Sequence, residues 1–165
     1  MTISSERCPR ATKPHTTNQL FAPIFSGALK GRKANWMGRL DLPHDLVFID
    51  DAAAACVLLG ETDGAYGQAW HIPGAGPVTG REFLTQVFAA AGRSPRVGVL
   101  PAWLVRLAGL FDKGAREMVE LMYEFEEPLV LDGGKFAGAF PGFRYTTHAE
   151  AVGQTLDWFS RNWGS

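Results

Sequence analysis

Hydrophobic positions along the chain switch between short apolar runs and helix-like spacing, a pattern typical of α/β proteins. Leu46–Ile49 is a run of four apolar residues, two of them β-branched, and it predicts a buried strand. Ala52–Leu59 then contains no helix breaker and is followed by Gly60, so we predict a helix over this range. Asp50 or Asp51 is the expected N-cap of that helix.

The middle of the chain repeats this order of strand and helix. Gln68–Ile72 and Arg96–Leu100 are predicted strands. Thr79 and Glu82 have the spacing of a capping box, in which the two side chains satisfy free N–H groups at a helix start. Pro101 opens a further helix at a position where its missing N–H costs nothing. The apolar face predicted for that helix consists of Trp103, Leu104, Leu107 and Leu110.

The C-terminal third is predicted to be mainly helical. Ala115–Tyr123 is a predicted helix whose inward positions include Met118, Leu121 and Met122, and Leu129–Leu131 after Pro128 is a predicted short strand. Thr147 and Glu150 form a second capping box. The last helix is expected to dock through a stripe at helical spacing, made of Val152, Leu156, Phe159 and Trp163.

The first residues differ from the rest in composition. Met1–Asn18 is rich in Ser, Thr, Pro and Arg and has no hydrophobic periodicity, so we predict a disordered tail. Order is expected to begin near Gln19. A first helix, lined by Leu20, Ile24 and Leu29, is predicted to stop at Gly31.

Composition narrows the class of protein. A chain of 165 residues with 46% hydrophobic residues and a formal net charge of -1 suits one soluble domain. The near-zero charge gives no electrostatic footprint for nucleic acid, and the apolar runs are too short to span a membrane. Cys8 and Cys56 alone do not make a disulfide framework, so we expect a reducing cytoplasm as the location.

A glycine-rich segment lies where a dinucleotide phosphate loop would lie. Gly74–Gly80 follows a predicted strand and opens a predicted helix. Its G-x-G-x-x-x-G spacing differs from the G-x-G-x-x-G fingerprint, and Pro77 removes a backbone donor that such a loop needs. The next predicted strand ends in Pro101 rather than in an acidic residue that could hold a ribose. A turn leading into a capping box is the preferred interpretation.

Other catalytic patterns are weaker. Asp50 and Asp51 are neighbours at a helix start, where carboxylates usually serve as caps. No Gly-x-Ser-x-Gly nucleophile elbow is present. The histidines have no metal-ligand spacing with one another or with cysteine, so no metal site is predicted; they are His15, His44, His71 and His148.

Taken in order, several segments resemble the C-terminal half of NAD-dependent epimerase/dehydratase family proteins, which are extended or atypical short-chain dehydrogenases. Leu46–Leu59 (LVFIDDAAAACVLL) is similar to the strand–Asp–helix segment of that family. Gly67–Gly74 is similar to its following strand and turn. The resemblance runs from about Gln19 to Trp163 and continues with the helix start at Pro77, Thr79 and Glu82, the strand into Pro101, and the final Thr-x-x-Glu helix.

The sequence departs from that family in its catalytic motifs. Family members bind NAD(P) through an N-terminal Gly-rich βαβ unit and use a Tyr-x-x-x-Lys pair for proton exchange. Neither the Gly-rich fingerprint loop nor the Tyr-x-x-x-Lys pair occurs in this sequence. The residue four positions after each tyrosine is not lysine: it is Trp70 after Tyr66, Glu127 after Tyr123 and Ala149 after Tyr145. We therefore assign no catalytic and no cofactor-binding residue to this chain.

The resemblance implies an α/β fold with a partial Rossmann-like sheet and a small helical substrate-binding subdomain, spanning residues 19–165. It also implies that the loop Asn35–Asp45 faces a small-molecule substrate. Within it we select Trp36 as an aromatic wall and His44 and Asp45 as polar groups before a rigid element. These three are the predicted substrate-binding residues.

The leading hypothesis is an incomplete NAD(P)-dependent oxidoreductase domain that binds no cofactor and catalyses nothing alone, whereas NAD or NADP serves the complete family enzyme. One alternative is a stand-alone ligand- or partner-binding module. The other is one half of a split enzyme that reassociates with a separate N-terminal half. A homo-oligomer also remains open, and neither nucleic acid nor membrane is an expected partner.

Overall fold

The computed structural model describes residues 21–111, 116 and 119–162. The tail predicted for Met1–Asn18 lies outside these residues, as do Leu20, Met118 and Trp163. The described helices are α1 (Ala22–Leu29), α2 (Ile49–Gly60), α3 (Gly80–Ala90), α4 (Ala102–Ala108), α5 (Tyr123–Glu126), α6 (Gly134–Ala139) and α7 (His148–Asn162), with a 3₁₀ turn at Asp63–Ala65. The described strands are β1 (Ala34–Met37), β2 (Pro43–Asp45), β3 (Pro77–Thr79) and β4 (Val97–Leu100).

These strands form two small ladders. β1 and β4 pair in parallel, with Ala34 opposite Val97. β2 and β3 pair antiparallel, with His44 opposite Val78, and β2 also makes an isolated parallel bridge to Leu129. Because a parallel pair needs a crossover connection, the chain between β1 and β4 contains α2 and α3. The predicted α/β class with a partial sheet is confirmed.

The main core lies between the helices α1, α3 and α7 and the β1 strand. Phe25 of α1 stacks on Phe159 of α7, with ring centroids 5.5 Å apart. Leu84 and Phe88 of α3 are fully buried between these helices. Burial of this apolar surface is the main favourable term that holds α1, α3 and α7 together. The expected docking stripe of the last helix is confirmed for Val152, Leu156 and Phe159, all of which are buried.

A second aromatic cluster packs where α6 meets the segment before α7. Phe136 is 1% exposed and lies at its centre. Its ring centroid is 5.0 Å from that of Phe140 and 5.2 Å from that of Phe143. Trp70, from a distant part of the chain, completes the cluster edge-on to Phe136 at 6.4 Å. This cluster therefore fixes the segment that carries Trp70 against α6.

Both capping boxes are confirmed. Thr79 is the N-cap of α3, its hydroxyl accepts from the Glu82 N–H, and the Glu82 carboxylate accepts from the Thr79 N–H at 2.9 Å. Thr147 and Glu150 make the same reciprocal pair at the start of α7, at 3.1 and 3.3 Å. The predicted strand Arg96–Leu100 is confirmed as β4. Capping and turn chemistry act over a few residues, which is why short sequence patterns identify them.

The strand predicted for Leu46–Ile49 is wrong. The paired residues are Pro43–Asp45 just before it, and Ile49, 71% exposed, is the first residue of α2. The predicted cap is also wrong, because Phe48 is the N-cap and makes no side-chain cap hydrogen bond. Asp50 and Asp51 lie in the first turn instead, where their charge favours the positive end of the helix dipole.

Two further predictions differ from the structure. Gln68–Ile72 forms no strand, since it has no paired neighbour among the described residues.

The apolar face of α4 is not buried, because Trp103 is 65% and Leu107 49% exposed while Val105 turns inward. The helical spacing correctly predicts an amphipathic helix. It does not show which other element, if any, packs against the apolar face of that helix. Leu129–Leu131 contributes only the single bridge of Leu129 to β2.

Candidate functional site

The three residues predicted to touch a substrate lie together, but two of them are core residues. The prediction that they lie in a loop is wrong, because Trp36 belongs to β1 and His44 and Asp45 belong to β2. Trp36, in β1, is 2% exposed and packs edge-on to Phe21 and Phe125 at 6.0 and 5.8 Å. A Cβ on Gly80 would lie 2.5 Å from its Cε2 atom, so the start of α3 closes over the ring. The indole N–H is buried without a hydrogen-bond partner among the described residues. Trp36 thus acts as a packing element rather than as an open wall.

His44 lies beside Trp36, and a backbone carbonyl faces each of its two ring nitrogens. It is 3% exposed, and its ring centroid is 6.2 Å from that of Trp36. Nδ1 lies 3.0 Å from the carbonyl oxygen of Leu42, and Nε2 lies 2.7 Å from that of Glu124. These contacts tie β2 to α5, and they leave neither ring nitrogen open to a ligand in this arrangement.

Asp45 is the member of the group with a free hydrogen-bond acceptor. Its Oδ2 accepts from the Leu131 N–H at 2.6 Å, and its own N–H donates to the Leu129 carbonyl at 2.8 Å. Its Oδ1 is buried and has no partner among the described residues. A carboxylate oxygen in this state needs a donor from elsewhere, since an unsatisfied buried polar atom costs free energy.

The glycine-rich segment does not fit a dinucleotide phosphate. A Cβ on Gly74 would lie 2.8 Å from the Leu46 carbonyl oxygen, so this glycine serves a close backbone contact. The Gly76 carbonyl lies 2.8 Å from His148 Nε2. The N-terminus of α3 is already capped by Thr79, and the Glu82 carboxylate occupies the position where an anion would be attracted. The interpretation as a turn leading into a capping box is therefore confirmed.

Sequence patterns missed the partner of Asp51. Asp51 is 8% exposed, and its two oxygens accept from the Thr146 N–H and Oγ1, both at 2.8 Å. Next to this contact lies Tyr145, whose buried hydroxyl has no partner among the described residues. Burial, and secondarily the negative charge of Asp51, raise the pKa of Tyr145. No local pattern links residues this far apart, so only the fold reveals the contact.

A cluster of metal-ligand side chains and a membrane-spanning helix are both absent from the described part of the chain. No group of three or more His, Cys, Asp or Glu side chains converges there. None of its helices combines the length and apolar character that a membrane crossing requires.

Three of the solved structures that share the fold of this chain are enzymes with bound NAD. They are dTDP-glucose 4,6-dehydratase from Bacillus anthracis (TM-score 0.65, 16% identity), UDP-glucose 4-epimerase from Thermus thermophilus (0.59, 21%) and the enzyme WbmH from Bordetella bronchiseptica (0.57, 18%). All three were solved in complex with NAD. No family model matches the sequence, and no curated protein is similar enough to match it.

The aligned region covers a much larger share of this chain than of its three neighbours. The aligned region covers 87–90% of this chain but only 40–42% of the three neighbours. The chain therefore has the fold of less than half of an NAD-dependent dehydratase or epimerase.

Proposed function

We propose that this chain is the substrate-binding part of an NAD(P)-dependent epimerase/dehydratase-like oxidoreductase, and that it neither binds cofactor nor catalyses a reaction by itself. The observation that carries this proposal is the length of the match: nearly all of this chain aligns with well under half of each NAD-bound neighbour. The remaining part of such an enzyme would supply the Gly-rich loop and the Tyr-x-x-x-Lys pair.

The geometry of the glycine-rich segment supports the same proposal. A phosphate at the start of α3 would lie close to the Glu82 carboxylate. The Glu82 backbone N–H, which could otherwise donate to the phosphate, already donates to the Thr79 hydroxyl. Two like charges at one helix N-terminus repel each other, so binding there is disfavoured. We therefore assign cofactor binding to the complementary part of the enzyme.

For the substrate, the proposal narrows to Asp45. Its buried Oδ1 lacks a donor that a hydroxyl group of a bound substrate would provide. Contacts on either side hold it in place: His44 fixes β2 against α5, and the Leu131 N–H occupies Oδ2. In this assignment Trp36 and His44 act as positioning residues that fix the backbone on which Asp45 stands.

For the cellular location we propose the cytoplasm, because the two cysteines of the sequence do not make a disulfide framework.

Reconstitution tests the proposal. The chain would be co-expressed with any Gly-rich α/β segment found encoded beside it, and hydride transfer to NAD or NADP would be followed by absorbance. Asp45→Asn, which keeps the size but removes the charge, is expected to raise KM or lower kcat by about tenfold or more while cofactor affinity is unchanged. Asp50→Asn, at an exposed position in the first turn of α2, is the matched control.

Two results would contradict the proposal. Hydride transfer by the chain alone would show a complete enzyme. A folded chain that binds a small molecule and gains nothing from any Gly-rich segment would favour the stand-alone module instead.

A further inference from the structure

Two core helices, α1 and α3, end side by side with the same capping motif. Gly31 follows the C-cap of α1 and Gly92 follows that of α3, and their φ angles are 64° and 65°. The N–H of the next residue, Arg32 or Arg93, donates to a carbonyl of the last helical turn, at 2.8 and 2.9 Å. In this Schellman motif the residue after the glycine is frequently apolar and packs on the helix. Because both residues are exposed arginines here, local packing of the caps does not explain them.

The two caps lie within a basic cluster on the surface. This basic cluster consists of Lys30, Arg32, Lys33, Arg93 and Arg96, all of them exposed. Gly31 lies at its centre, since Arg96 Nη1 donates to the Gly31 carbonyl at 3.2 Å and the Arg93 guanidinium carbon lies 4.0 Å from where a Cβ on Gly31 would be. The Lys33 Nζ extends over β4, 2.8 Å from the position of a Cβ on Gly98. The fold therefore gathers cations from two segments that are distant in the sequence.

Acidic side chains do not compensate this charge. The segments 30–33 and 92–98 contain no Asp or Glu, and none of the five cations forms an ion pair with an acid among the described residues. The whole chain has a net charge of -1 and the basic cluster carries +5, so the other residues sum to -6. Like charges that lie this close repel each other, and an anion bound among them removes the repulsion.

The basic cluster lies at the opposite end of β1 from the candidate substrate site. Lys33 directly precedes β1, whereas Gly38 directly follows it and approaches Phe125, which packs on His44. Because β1 and β4 are parallel, the segments that lead into them meet at one edge of this ladder. The basic cluster is therefore separate from Asp45, and an inference about it does not depend on the proposed function.

The helix dipoles of α1 and α3 explain part of this arrangement, because cations are favoured near the negative C-terminal end of a helix. That effect does not require arginine, since the ammonium group of lysine would serve equally well. Three of the five cations are nevertheless arginine, whose planar guanidinium binds a phosphate through two parallel hydrogen bonds. The choice of arginine and the convergence on Gly31 both indicate a ligand.

We infer that the basic cluster binds a compact anion with adjacent phosphate groups. Arg93 and Arg96 converge on one residue without a side chain, Gly31, so several negative charges carried on one small group can contact them together. Carboxylates spread along a peptide would not concentrate their charge in this way. A soluble polyphosphate and the multiply phosphorylated headgroup of a lipid share this chemistry, and the experiment distinguishes them.

Calorimetric titration of the full chain with sodium tripolyphosphate tests the site. At about 0.05 M salt we expect a Kd on the order of 10–100 μM, and binding of inorganic monophosphate at least about tenfold weaker. The double variant R32Q/R93Q should bind tripolyphosphate at least about tenfold more weakly, and Arg93→Lys, which keeps the charge but loses the fork, should weaken it less. Arg144→Gln is the matched control, because Arg144 is exposed and has no ion pair among the described residues.

Urea unfolding separates ligand binding from a merely structural role. A ligand that binds only the folded chain raises its urea midpoint, so tripolyphosphate should raise the midpoint of the wild type and of R144Q but not that of R32Q/R93Q. Cations that act only on the helix dipoles would give no such ligand-dependent difference. The same unfolding curves, measured without ligand, confirm that each variant folds.

Vesicles distinguish the two sources of phosphate. Vesicles containing phosphatidylinositol bisphosphate that bind the wild type but not R32Q/R93Q would support the site with a lipid headgroup as its ligand, and binding of tripolyphosphate alone would support it with a soluble ligand. Equal binding to phosphatidylserine vesicles, or to a hexaglutamate peptide as tightly as to tripolyphosphate, would overturn the inference, because general negative charge would then suffice. Absence of tripolyphosphate binding, or an equal loss in R144Q, would overturn it as well.

Discussion

Asp51 and Thr146 are joined by two hydrogen bonds, from the Thr146 N–H to Oδ2 and from its Oγ1 to Oδ1, each 2.8 Å long. Asp51 is in the first turn of α2, and Thr146 directly precedes the capping box of α7. One carboxylate thus ties two helix starts that are 95 residues apart in the sequence. Hydrogen bonds to a charged group are stronger than neutral ones, so this contact stabilises the packing of α2 against the C-terminal segment.

Asp51→Ala should therefore destabilise the chain by about 2–3 kcal/mol, because it leaves the Thr146 N–H unpaired in addition to removing both bonds. Thr146→Val removes only the hydroxyl donor and should cost about 1 kcal/mol. Urea unfolding of the two single variants and the double variant would measure the coupling. Additive effects would show that the bond from the Thr146 hydroxyl to Asp51 contributes no coupling.

Gly80 is the position at which we expect the clearest steric effect. A Cβ there would lie 2.5 Å from Trp36 Cε2 and 2.8 Å from Nε1. Because Trp36 is only 2% exposed and packs against other aromatic rings, it cannot move away from this Cβ without disturbing the core. Gly80→Ala should destabilise the chain by about 1–3 kcal/mol, despite the better helix propensity of alanine.

Gly153→Ala is the matched control for that variant. Gly153 is also helical, in α7, and a Cβ there meets nothing within 4 Å. This substitution should stabilise the chain by about 0.5–1 kcal/mol. Urea midpoints that move in the same direction for both variants would contradict the packing described around Trp36.

The two capping boxes predict a dependence of stability on acid. Hydrogen bonds from the Thr79 backbone and side chain lower the pKa of Glu82, and those from the Thr147 side chain and backbone lower the pKa of Glu150. A carboxyl group with a lowered pKa in the folded state contributes stability above its unfolded pKa, about 4.3, and loses it as the pH falls through the folded value. Unfolding free energies measured from about pH 6 to about pH 3 should therefore fall less steeply in the double variant E82Q/E150Q. Equal slopes would contradict this assignment.

Sequence patterns predict the local features of this fold and miss the non-local ones. Thr79 and Glu82 are recognisable because a capping box involves four consecutive positions. The strand prediction for Leu46–Ile49 fails because an apolar run does not reveal whether a paired neighbour exists; the pairing falls on Pro43–Asp45, opposite β3. Strand pairing depends on residues distant in the chain, which a single sequence does not specify.

The candidate site shows the same division. The sequence places Trp36, His44 and Asp45 in one segment, and these three residues do lie together in the fold. It does not show that the first two are buried in the core, because burial is decided by Phe125 and Gly80 from other elements. The role of Trp36, His44 and Asp45 in substrate binding stays a prediction.

Calorimetric titration of the chain with NAD(H) and NADP(H) tests the central claim most directly. We predict no heat of binding for the isolated 165-residue chain at cofactor concentrations up to the millimolar range, and binding once the Gly-rich α/β segment is present. Micromolar binding to the isolated chain, about -8 kcal/mol, would contradict the account, because it would require a cofactor site that this chain forms without a complementary part.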